Sequence, residues 1–582
     1  MKRYWKYAKP YLSSFILGPI CMIIEVVGEV MMPLLLKNII DKGVEGQLGI
    51  NYVILTGITM IITALCMMGG GVGGAFFAIK ASTGFANDLR KDMFIHIQKF
   101  SFNNIDKYNT GSLVTRLTND VTQVQSMIQM LLRMALRSPG MLIGALIMAF
   151  TLNTSLALVI LAVIPFLSFI IYLILKNASP RFSEMQKKLD TLNITTQENL
   201  TNIRVVKSFV RESFEEEKFK SANLDLKEST IKAMKIIIFT MPVMTFAMNI
   251  TTLAVVWFGG RQIVAFGMST GTLTAFVNYV TQILTSLMMV SMIILNGSRA
   301  YASLKRIDEI FDTDIDLTDD DASNKEIFVQ EGKIEFKNVD FKYYKNNEKW
   351  VLENINITIN PGETVGIIGS TGSGKSSLVQ LIPRLYDVDN GEVLVDDVNV
   401  KEYSLKNLRN GVGIVLQKNV LFSGTIKENL KWGDEEASDD EIVRSAESAQ
   451  AHWFISSFND GYDTELGQGG TNVSGGQKQR LSIARTLLKK PKILILDDST
   501  SAVDTATESK IRDAFKNDLP NMTKIIIAQR ISSVIDADKI IVLDDGKIVG
   551  IGVHDQLMDN CETYNEIYYS QMDKKVTTKW AK

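Results

Sequence analysis

A glycine-rich loop near the middle of the chain has the composition of a phosphate-binding loop. The segment "GSTGSGKS", Gly369 to Ser376, follows the strand pattern "ETVGIIG" and opens a helical pattern. This is the G-x-x-x-x-G-K-[ST] motif in the context in which it binds nucleotides. Its glycines let backbone N–H groups converge on phosphate oxygens. Lys375 then reaches the terminal phosphates, and the Ser376 hydroxyl is available to Mg²⁺.

A second candidate is the stretch "ILILDDSTSAVD", in which four apolar residues run into Asp497 and Asp498. An apolar strand that ends in an acid places a carboxylate where it can hold Mg²⁺, which prefers oxygen ligands. The pattern therefore predicts a metal-site carboxylate at Asp497. For Asp498 the pattern leaves two possibilities open, a catalytic base or a residue that stands where one used to be.

A third candidate is "SGGQ", which combines a hydroxyl, two glycines and an amide at the predicted start of a helix. By itself it is equally well explained as a helix cap with a flexible turn. Its place shortly before the strand that ends in Asp497 makes the motif specific. Its residues are Ser474, Gly475, Gly476 and Gln477.

The chain that positions these motifs has two different halves. Up to about Gly297 it is dominated by long apolar runs, whereas the rest alternates charges, turn residues and short strand patterns. The net charge of -2 implies no nucleic-acid partner. The three cysteines, Cys21, Cys66 and Cys561, are too far apart to indicate a disulfide framework or a zinc site.

The first half contains six segments long enough to cross a bilayer, which needs roughly 20 residues. The connections 80–133 and 176–234 are rich in Lys and Arg, which mark the cytoplasmic side. Both termini are therefore predicted to be cytoplasmic, and the chain is predicted to lie in the lipid bilayer as a multi-pass protein of a bacterial inner membrane, with an organellar membrane as the alternative. The predicted spans are 14–36, 53–79, 134–152, 154–175, 235–258 and 271–295.

The long connections contain few helix breakers. A single helix over 52–98 would be about 70 Å long at 1.5 Å per residue, against a hydrocarbon core of about 30 Å. Turns are predicted near 102–112 and 200–209. The extensions are either a solvated helical stalk or a lever that carries motion between the membrane and a soluble domain, and the motifs of the second half favour the lever.

Two acids, Glu25 and Glu29, fall inside the first predicted span. They are four residues apart and so share one face of a helix. A carboxylate in hydrocarbon is costly and usually faces a cavity or a partner. The pair is either part of a substrate cavity for a cationic or polar compound, or a set of interhelical hydrogen bonds beside a water-filled vestibule.

Taken together, the phosphate loop and "SGGQ" resemble those of the ABC exporter family. The chain is similar to a half-transporter of the multidrug and lipid exporter type (type IV fold). The resemblance spans nearly the whole chain. It implies an all-α six-helix transmembrane domain with long cytoplasmic extensions, followed by an α/β P-loop ABC ATPase domain. The predicted boundaries are 1–312 for the membrane domain, 313–332 for a linker, 333–572 for the nucleotide-binding domain and 573–582 for a tail.

The resemblance also implies the cofactors ATP and Mg²⁺ and a role for each matching residue. Tyr343 matches the aromatic residue that stacks on adenine, with Tyr344 as the alternative. Gln417 and Asp497 match magnesium contacts, and Asp504 matches a residue that reports across the dimer. "SGGQ" would complete the ATP site of a partner chain. The residues expected to bind ATP are Tyr343, Gly369, Ser370, Thr371, Gly372, Ser373, Gly374, Lys375, Ser376, Ser377 and Gln417.

Three positions depart from the usual exporter pattern. Asp498 replaces the general-base glutamate and is one methylene shorter, although a base must come within about 2.6–3.2 Å of the proton that it takes. Gln529 replaces a histidine and cannot take a proton at neutral pH. Gln468 replaces a glutamate before the signature that is thought to contact the partner chain.

Because Asp498 and Gln529 would act on the same ATP, they predict a degenerate site that binds ATP and cleaves it slowly. The predicted assembly is a heterodimer with a second, different half-transporter that carries the standard glutamate and histidine. A homodimeric exporter with slow ATPase activity, or a membrane regulator that only binds nucleotide, are the alternatives. The substrate is expected to be an amphiphilic drug, lipid or peptide.

Overall fold

The computed structural model describes residues 2–46, 48–319, 322, 326–344, 348–499 and 503–577. The chain divides into two compact units. The first contains the residues up to Gln98 together with Thr110–Asp312, and the second contains Lys99–Asn109 and the residues from Thr313 onward. Parts of the predicted linker 313–332 and tail 573–582 lie outside the described residues.

The first unit is built from long helices. In chain order the helices up to Phe311, of which α4 belongs to the second unit, are α1 (Lys2–Ala8), α2 (Leu12–Asn38), α3 (Gly49–Gln98), α4 (Phe102–Asp106), α5 (Thr110–Thr115), α6 (Val121–Met134), α7 (Arg137–Leu152), α8 (Thr154–Thr201), α9 (Ile203–Ser208), α10 (Glu212–Phe266) and α11 (Thr270–Phe311). Two π-helical segments, Ile39–Val44 and Arg116–Asp120, continue α2 and precede α6.

Among the described residues, six stretches of this unit are long and apolar enough to span a membrane, which confirms the predicted number of spans. Helix α3 has 50 residues, and at 1.5 Å per residue it is about 75 Å long. The single helix expected over 52–98 is therefore present, and it is more than twice as long as the hydrocarbon core is thick. The predicted turns near 102–112 and 200–209 contain the short helices α4 and α9.

Small residues allow the first two spans to pack closely. Helix α2 runs along α3, and a Cβ added at Gly70 of α3 would stand only 2.8 Å from the carbonyl oxygen of Cys21 in α2. Close backbone approach through glycine is how membrane helices gain packing without a hydrophobic driving force. A hydrophobic core of this unit joins α2, α7, α8, α10 and α11 around the buried aromatic residues Phe276 and Tyr279.

The second unit is an α/β domain with three sheets. A six-stranded sheet has the order β12-β11-β3-β10-β9-β6, a four-stranded antiparallel sheet has the order β2-β1-β4-β5, and β7 pairs with β8. The strands are β1 (Ile334–Phe341), β2 (Leu352–Ile359), β3 (Thr364–Gly369), β4 (Asn390–Val395), β5 (Val398–Asn399), β6 (Val412–Val415), β7 (Gly424–Thr425), β8 (Glu465–Leu466), β9 (Ile493–Asp497), β10 (Thr523–Ile527), β11 (Lys539–Asp544) and β12 (Lys547–Gly552).

Several helices of the second unit pack against the six-stranded sheet. Strands β9 and β10 are buried along their whole length, as expected for parallel strands covered on both faces. The predicted fold class, a six-helix membrane domain followed by an α/β ATPase domain, is confirmed. The helices are α12 (Lys375–Leu381), α13 (Leu405–Gly411), α14 (Ile426–Lys431), α15 (Asp439–Ser448), α16 (His452–Ser456), α17 (Gly475–Leu488), α18 (Thr505–Asp518), α19 (His554–Asn560) and α20 (Glu562–Thr577).

Candidate nucleotide-binding site

Four neighbouring parallel strands bring the sequence motifs to one edge of the sheet. Strand β10 lies between β3 and β9, so Ile527 pairs with Ile367 on one side and with Asp497 on the other. Strand β6 pairs with the other side of β9. The segments that leave these strands at their carboxyl ends carry the phosphate loop, Gln529, the two aspartates and Gln417. Ligands of open α/β sheets bind at this edge.

The phosphate loop is held in a curled conformation by its own lysine. The Lys375 ammonium donates hydrogen bonds to the carbonyl oxygens of Gly369 (2.9 Å) and Ser370 (2.7 Å). Gly374 has a φ of 95°, and a Cβ there would lie 2.9 Å from the carbonyl oxygen of Val351. Only glycine fits that position, and a loop curled in this way turns backbone N–H groups toward an anion. Burial lowers the pKa of Lys375.

Two of the three metal-site candidates, Ser376 and Asp497, meet beside this loop. The Ser376 hydroxyl donates a hydrogen bond of 2.8 Å to Oδ1 of Asp497, whose side chain is buried. Burial raises the pKa of Asp497, and the Ser376 hydrogen bond opposes that shift. The hydroxyl, the carboxylate and the amide oxygen of Gln417 are the hard oxygen ligands that suit Mg²⁺. Together with the loop they fit a magnesium–nucleotide.

Two amides point at the carboxylate of Asp498. The Gln529 Nε2 donates to Asp498 Oδ2 at 2.7 Å, and the Gln417 Nε2 approaches the same oxygen at 3.5 Å. The Asp498 backbone is left-handed, with a φ of 48°, and its N–H donates to the Ile527 carbonyl at 3.1 Å. Burial raises the pKa of Asp498, while the two amides and the Lys375 charge lower it. Two of the three residues that depart from the usual exporter pattern are therefore hydrogen-bonded to each other.

The aromatic candidate Tyr343 adjoins the phosphate loop. Its hydroxyl shares a hydrogen bond of 2.8 Å with the Ser377 hydroxyl, and its ring meets those of Phe341 and Tyr386 edge to face. Burial raises the pKa of Tyr343. Tyr344, the alternative, has an exposed side chain. Tyr343 also lines a cavity of about 340 Å³ that includes Tyr386 and Asp106.

The signature and the cross-dimer candidates lie on the surface of the second unit. Ser474 Oγ accepts from the Gln477 N–H at 3.3 Å, and Gln477 Oε1 accepts from the Ser474 N–H at 2.8 Å. This reciprocal pair caps α17, and the N-terminal end of a helix of this length attracts anions. Asp504 caps α18 by accepting from the Thr507 N–H at 2.9 Å. Gln468 is exposed in a short 3₁₀ segment.

The two acids of the first span contact an arginine of another span. The Arg137 guanidinium lies 3.2 Å from Glu25 Oε1 and 3.1 Å from Glu29 Oε1. The Gln282 amide donates to the Glu29 carbonyl at 2.8 Å. Helices α2, α7 and α11 are therefore joined by polar contacts of the kind that the interhelical alternative describes, and the substrate-cavity alternative stays a prediction. Arg137 was not singled out from the sequence, although a lone arginine in an apolar stretch was a signal for it.

The sequence also gave no indication of two contacts made by residues distant along the chain. The Tyr386 hydroxyl donates to Asp106 Oδ2 of α4 at 2.8 Å, within the second unit. Gln571 of α20 hydrogen-bonds the backbone on both sides of Arg530. Neither pair has a motif, and only the tertiary structure brings its members together.

Comparisons with known proteins agree with this architecture. Residues 15–287 match the family model of the ABC transporter transmembrane region, and residues 352–501 match the ABC transporter family model. The ABC transporter ATP-binding protein YfiB of Bacillus subtilis is 40% identical over 575 residues, covering 99% of both chains.

Two further matches extend the comparison. An ATP-dependent lipid A-core flippase of Syntrophus aciditrophicus is 32% identical over 98% of this chain and 94% of its own length. A solved structure of a bacterial Atm1-family ABC exporter with ATP bound matches with a TM-score of 0.80 at 26% identity, covering 96% of this chain and 99% of that chain. The chain therefore belongs to the ABC transporter family, as an exporter half-transporter that joins a helical membrane domain to an ATP-binding domain in an Atm1-family fold.

Proposed function

We propose that this chain is the subunit of a heterodimeric exporter that binds MgATP at its own phosphate loop and cleaves it slowly. The observation that carries the proposal is the 2.7 Å hydrogen bond from Gln529 to Asp498. A general base must offer a free lone pair to the proton of the attacking water. Here the Gln529 amide donates to Oδ2 of the carboxylate at the base position and occupies one of its acceptor sites, and the amide itself cannot take a proton at neutral pH.

The length of the side chain adds to the effect. Aspartate is one methylene shorter than glutamate, so its carboxylate falls short of the glutamate position by more than about 1 Å. A misplacement of that size in a reacting group can cost about a hundredfold in rate. ATP binding is supported separately, because Lys375, Ser376 and Asp497 retain the contacts of an intact phosphate loop.

The signature supports a role in a partner's ATP site. Ser474 and Gly475 are exposed at the N-terminus of α17, where backbone N–H groups and the helix dipole favour a phosphate. We therefore propose that the partner's ATP site combines a standard glutamate and histidine of the partner with the signature of this chain. Gln468 and Asp504 are proposed to lie at the same dimer interface.

We further propose that both termini and the segments around α4 and α9 are cytoplasmic, since Lys and Arg concentrate in the connections that contain them. ATP binding would close the nucleotide-binding domains, and the long helices would convey that motion to the membrane domain. The flippase among the relatives, and a putative multidrug export protein of Bacillus subtilis that is 33% identical, favour an amphiphilic substrate.

The test compares ATP hydrolysis by the purified chain alone and by the chain assembled with its partner half-transporter in lipid. We expect slow turnover for the chain alone, and fast turnover in the assembly that is lost when the partner's glutamate becomes glutamine. Turnover by the chain alone at a rate equal to that of the assembly would refute the slow site. A fast assembly that moves no amphiphile across inverted vesicles would favour the nucleotide-binding regulator.

A further inference from the structure

A glutamine of the last helix holds the loop that carries Gln529. Gln571 Nε2 donates to the carbonyl oxygen of Gln529 at 2.8 Å, and Gln571 Oε1 accepts from the N–H of Ile531 at 3.0 Å. One side-chain amide therefore spans the backbone on both sides of Arg530. The chain has already left strand β10 here, so the sheet no longer supplies partners for these backbone groups.

The loop held in this way is the one that reaches the base position. Gln529, whose carbonyl oxygen accepts from the Gln571 amide, also donates through its side-chain Nε2 to Asp498 Oδ2 at 2.7 Å. On its other side the loop is fixed by Arg512 of α18, which donates to the Ser532 carbonyl at 2.7 Å. Gln529 itself is exposed, so these backbone contacts, rather than packing around its side chain, set its position.

Helix α20 is anchored firmly enough to act as a support. Tyr564 near its start is fully buried, and its hydroxyl shares a 2.8 Å hydrogen bond with His554 Nδ1. Asn565 donates to the Met558 carbonyl at 2.7 Å, and Ile567 packs against the core of the second unit. The amide of Gln571 is therefore presented from a helix that is tied to the rest of the domain.

We infer that Gln571 is a positioning residue for the nucleotide site, which fixes the backbone of residues 529–531 so that the Gln529 amide meets Asp498. The inference rests on the proposed slow site. Gln571 does not touch the reacting atoms; it acts through Gln529. The C-terminal helix thereby becomes part of the structure that decides how long this site holds ATP.

The experiment measures retention of ATP at this chain in the full heterodimer in lipid. The transporter is loaded with a photoreactive azido-ATP and Mg²⁺, chased with excess unlabelled ATP, and crosslinked at intervals, and the label on this chain is quantified. In Gln571→Ala both contacts are lost, and we expect release or turnover of the label to accelerate about tenfold, as for the net loss of a hydrogen bond that holds the loop. Ser570→Ala is the matched control, because among the described residues that hydroxyl donates within α20, to the Ile567 carbonyl, and it should behave as wild type.

A double-mutant cycle separates positioning from a general structural effect. If Gln571 acts through Gln529, Gln571→Ala should add nothing in the Gln529→Ala background. Gln571→Glu keeps the acceptor for Ile531 but turns a carboxylate toward the Gln529 carbonyl, so it should match Gln571→Ala in label release and keep the Ile531 amide protected from hydrogen exchange. This second variant also decides the question if Gln571→Ala does not fold.

The outcomes are distinct. Wild-type-like retention by Gln571→Ala, or an equal acceleration by Gln571→Ala in the Gln529→Ala background, would overturn the inference. If the wild-type site itself releases or cleaves ATP at once, the slow-site proposal fails. The same cycle, scored as the hydrolysis rate at this site, then decides whether Gln571 acts through Gln529.

Discussion

Lengthening the side chain at the base position is the sharpest test of the slow site. Asp498→Glu moves the carboxylate outward by more than about 1 Å, away from its present place 2.7 Å from Gln529 Nε2. Because a misplacement of that size in a catalytic group costs about a hundredfold in rate, the change should lower the barrier to hydrolysis by up to about 2.7 kcal/mol. Because Gln529 stays in place and cannot accept a proton, we expect the rate of ATP hydrolysis to rise between about tenfold and about a hundredfold.

The left-handed backbone at position 498 makes the same substitution unfavourable for stability. Asp498 has a φ of 48°, and aspartate tolerates this left-handed conformation better than glutamate. The strain is present in the ground state and in the transition state alike, so it lowers the free energy of unfolding, by about 1 kcal/mol, and leaves the barrier to hydrolysis unchanged. The variant should therefore be faster and slightly less heat-stable.

The assay is single-turnover hydrolysis of ATP by the assembled transporter, in which the partner's own catalytic glutamate has been replaced by glutamine. Asp498→Asn keeps the length without the charge and should not accelerate hydrolysis. Asp545→Glu adds the same methylene at another left-handed aspartate, φ 41°, whose exposed side chain pairs with Lys349. An unchanged rate for Asp498→Glu, or an equal gain for Asp545→Glu, would refute the reasoning.

Other consequences of the structure are equally open to measurement. Lys375→Ala removes a charge that also holds two loop carbonyls, and ATP affinity measured with a fluorescent analogue should fall at least about tenfold; retained affinity would contradict the assignment of the loop. Ser474→Ala removes the cap of α17, costs about 1 kcal/mol of stability, and should slow hydrolysis at the partner's site while azido-ATP still labels this chain; full partner-site activity would argue against a shared site. Tyr386→Phe removes the hydrogen bond to Asp106, so hydrogen exchange in Lys99–Asn109 should increase with ATP affinity unchanged, and unaltered exchange would show that the bond does not hold α4. Arg137→Gln leaves two glutamates without their cation and should lower the free energy of unfolding by about 2 kcal/mol, seen as earlier thermal unfolding in detergent; an unchanged transition would mean that the ion pairs do not stabilise the membrane unit.

The sequence was most informative where one local pattern has one physical cause. A run of apolar residues long enough for a bilayer indicates a membrane helix by length alone, and all six predicted spans correspond to apolar helices of the structure. A glycine loop between a strand and a helix has few alternatives, and the structure has β3, the loop and α12 in that order.

The sequence was least informative where the partners are far apart along the chain. For Glu25 and Glu29 it left a substrate cavity and interhelical bonding both open, and it carried no sign that α7 would place Arg137 within 3.2 Å of both carboxylates. The predicted turn at 102–112 carried no sign that Asp106 would meet Tyr386, which is 280 residues away. Such contacts follow from packing, which no local pattern encodes.

At the nucleotide-binding site, too, the sequence determined some features and the tertiary structure determined others. The sequence alone determined which residue types are present, namely a lysine and a serine for phosphate and metal, and an aspartate and a glutamine in place of a base and a histidine. Only the tertiary structure decided that Gln529 donates to Asp498 and that Gln571 supports Gln529. The order of the strands is the physical reason, because β10 must insert between β3 and β9 before these side chains become neighbours.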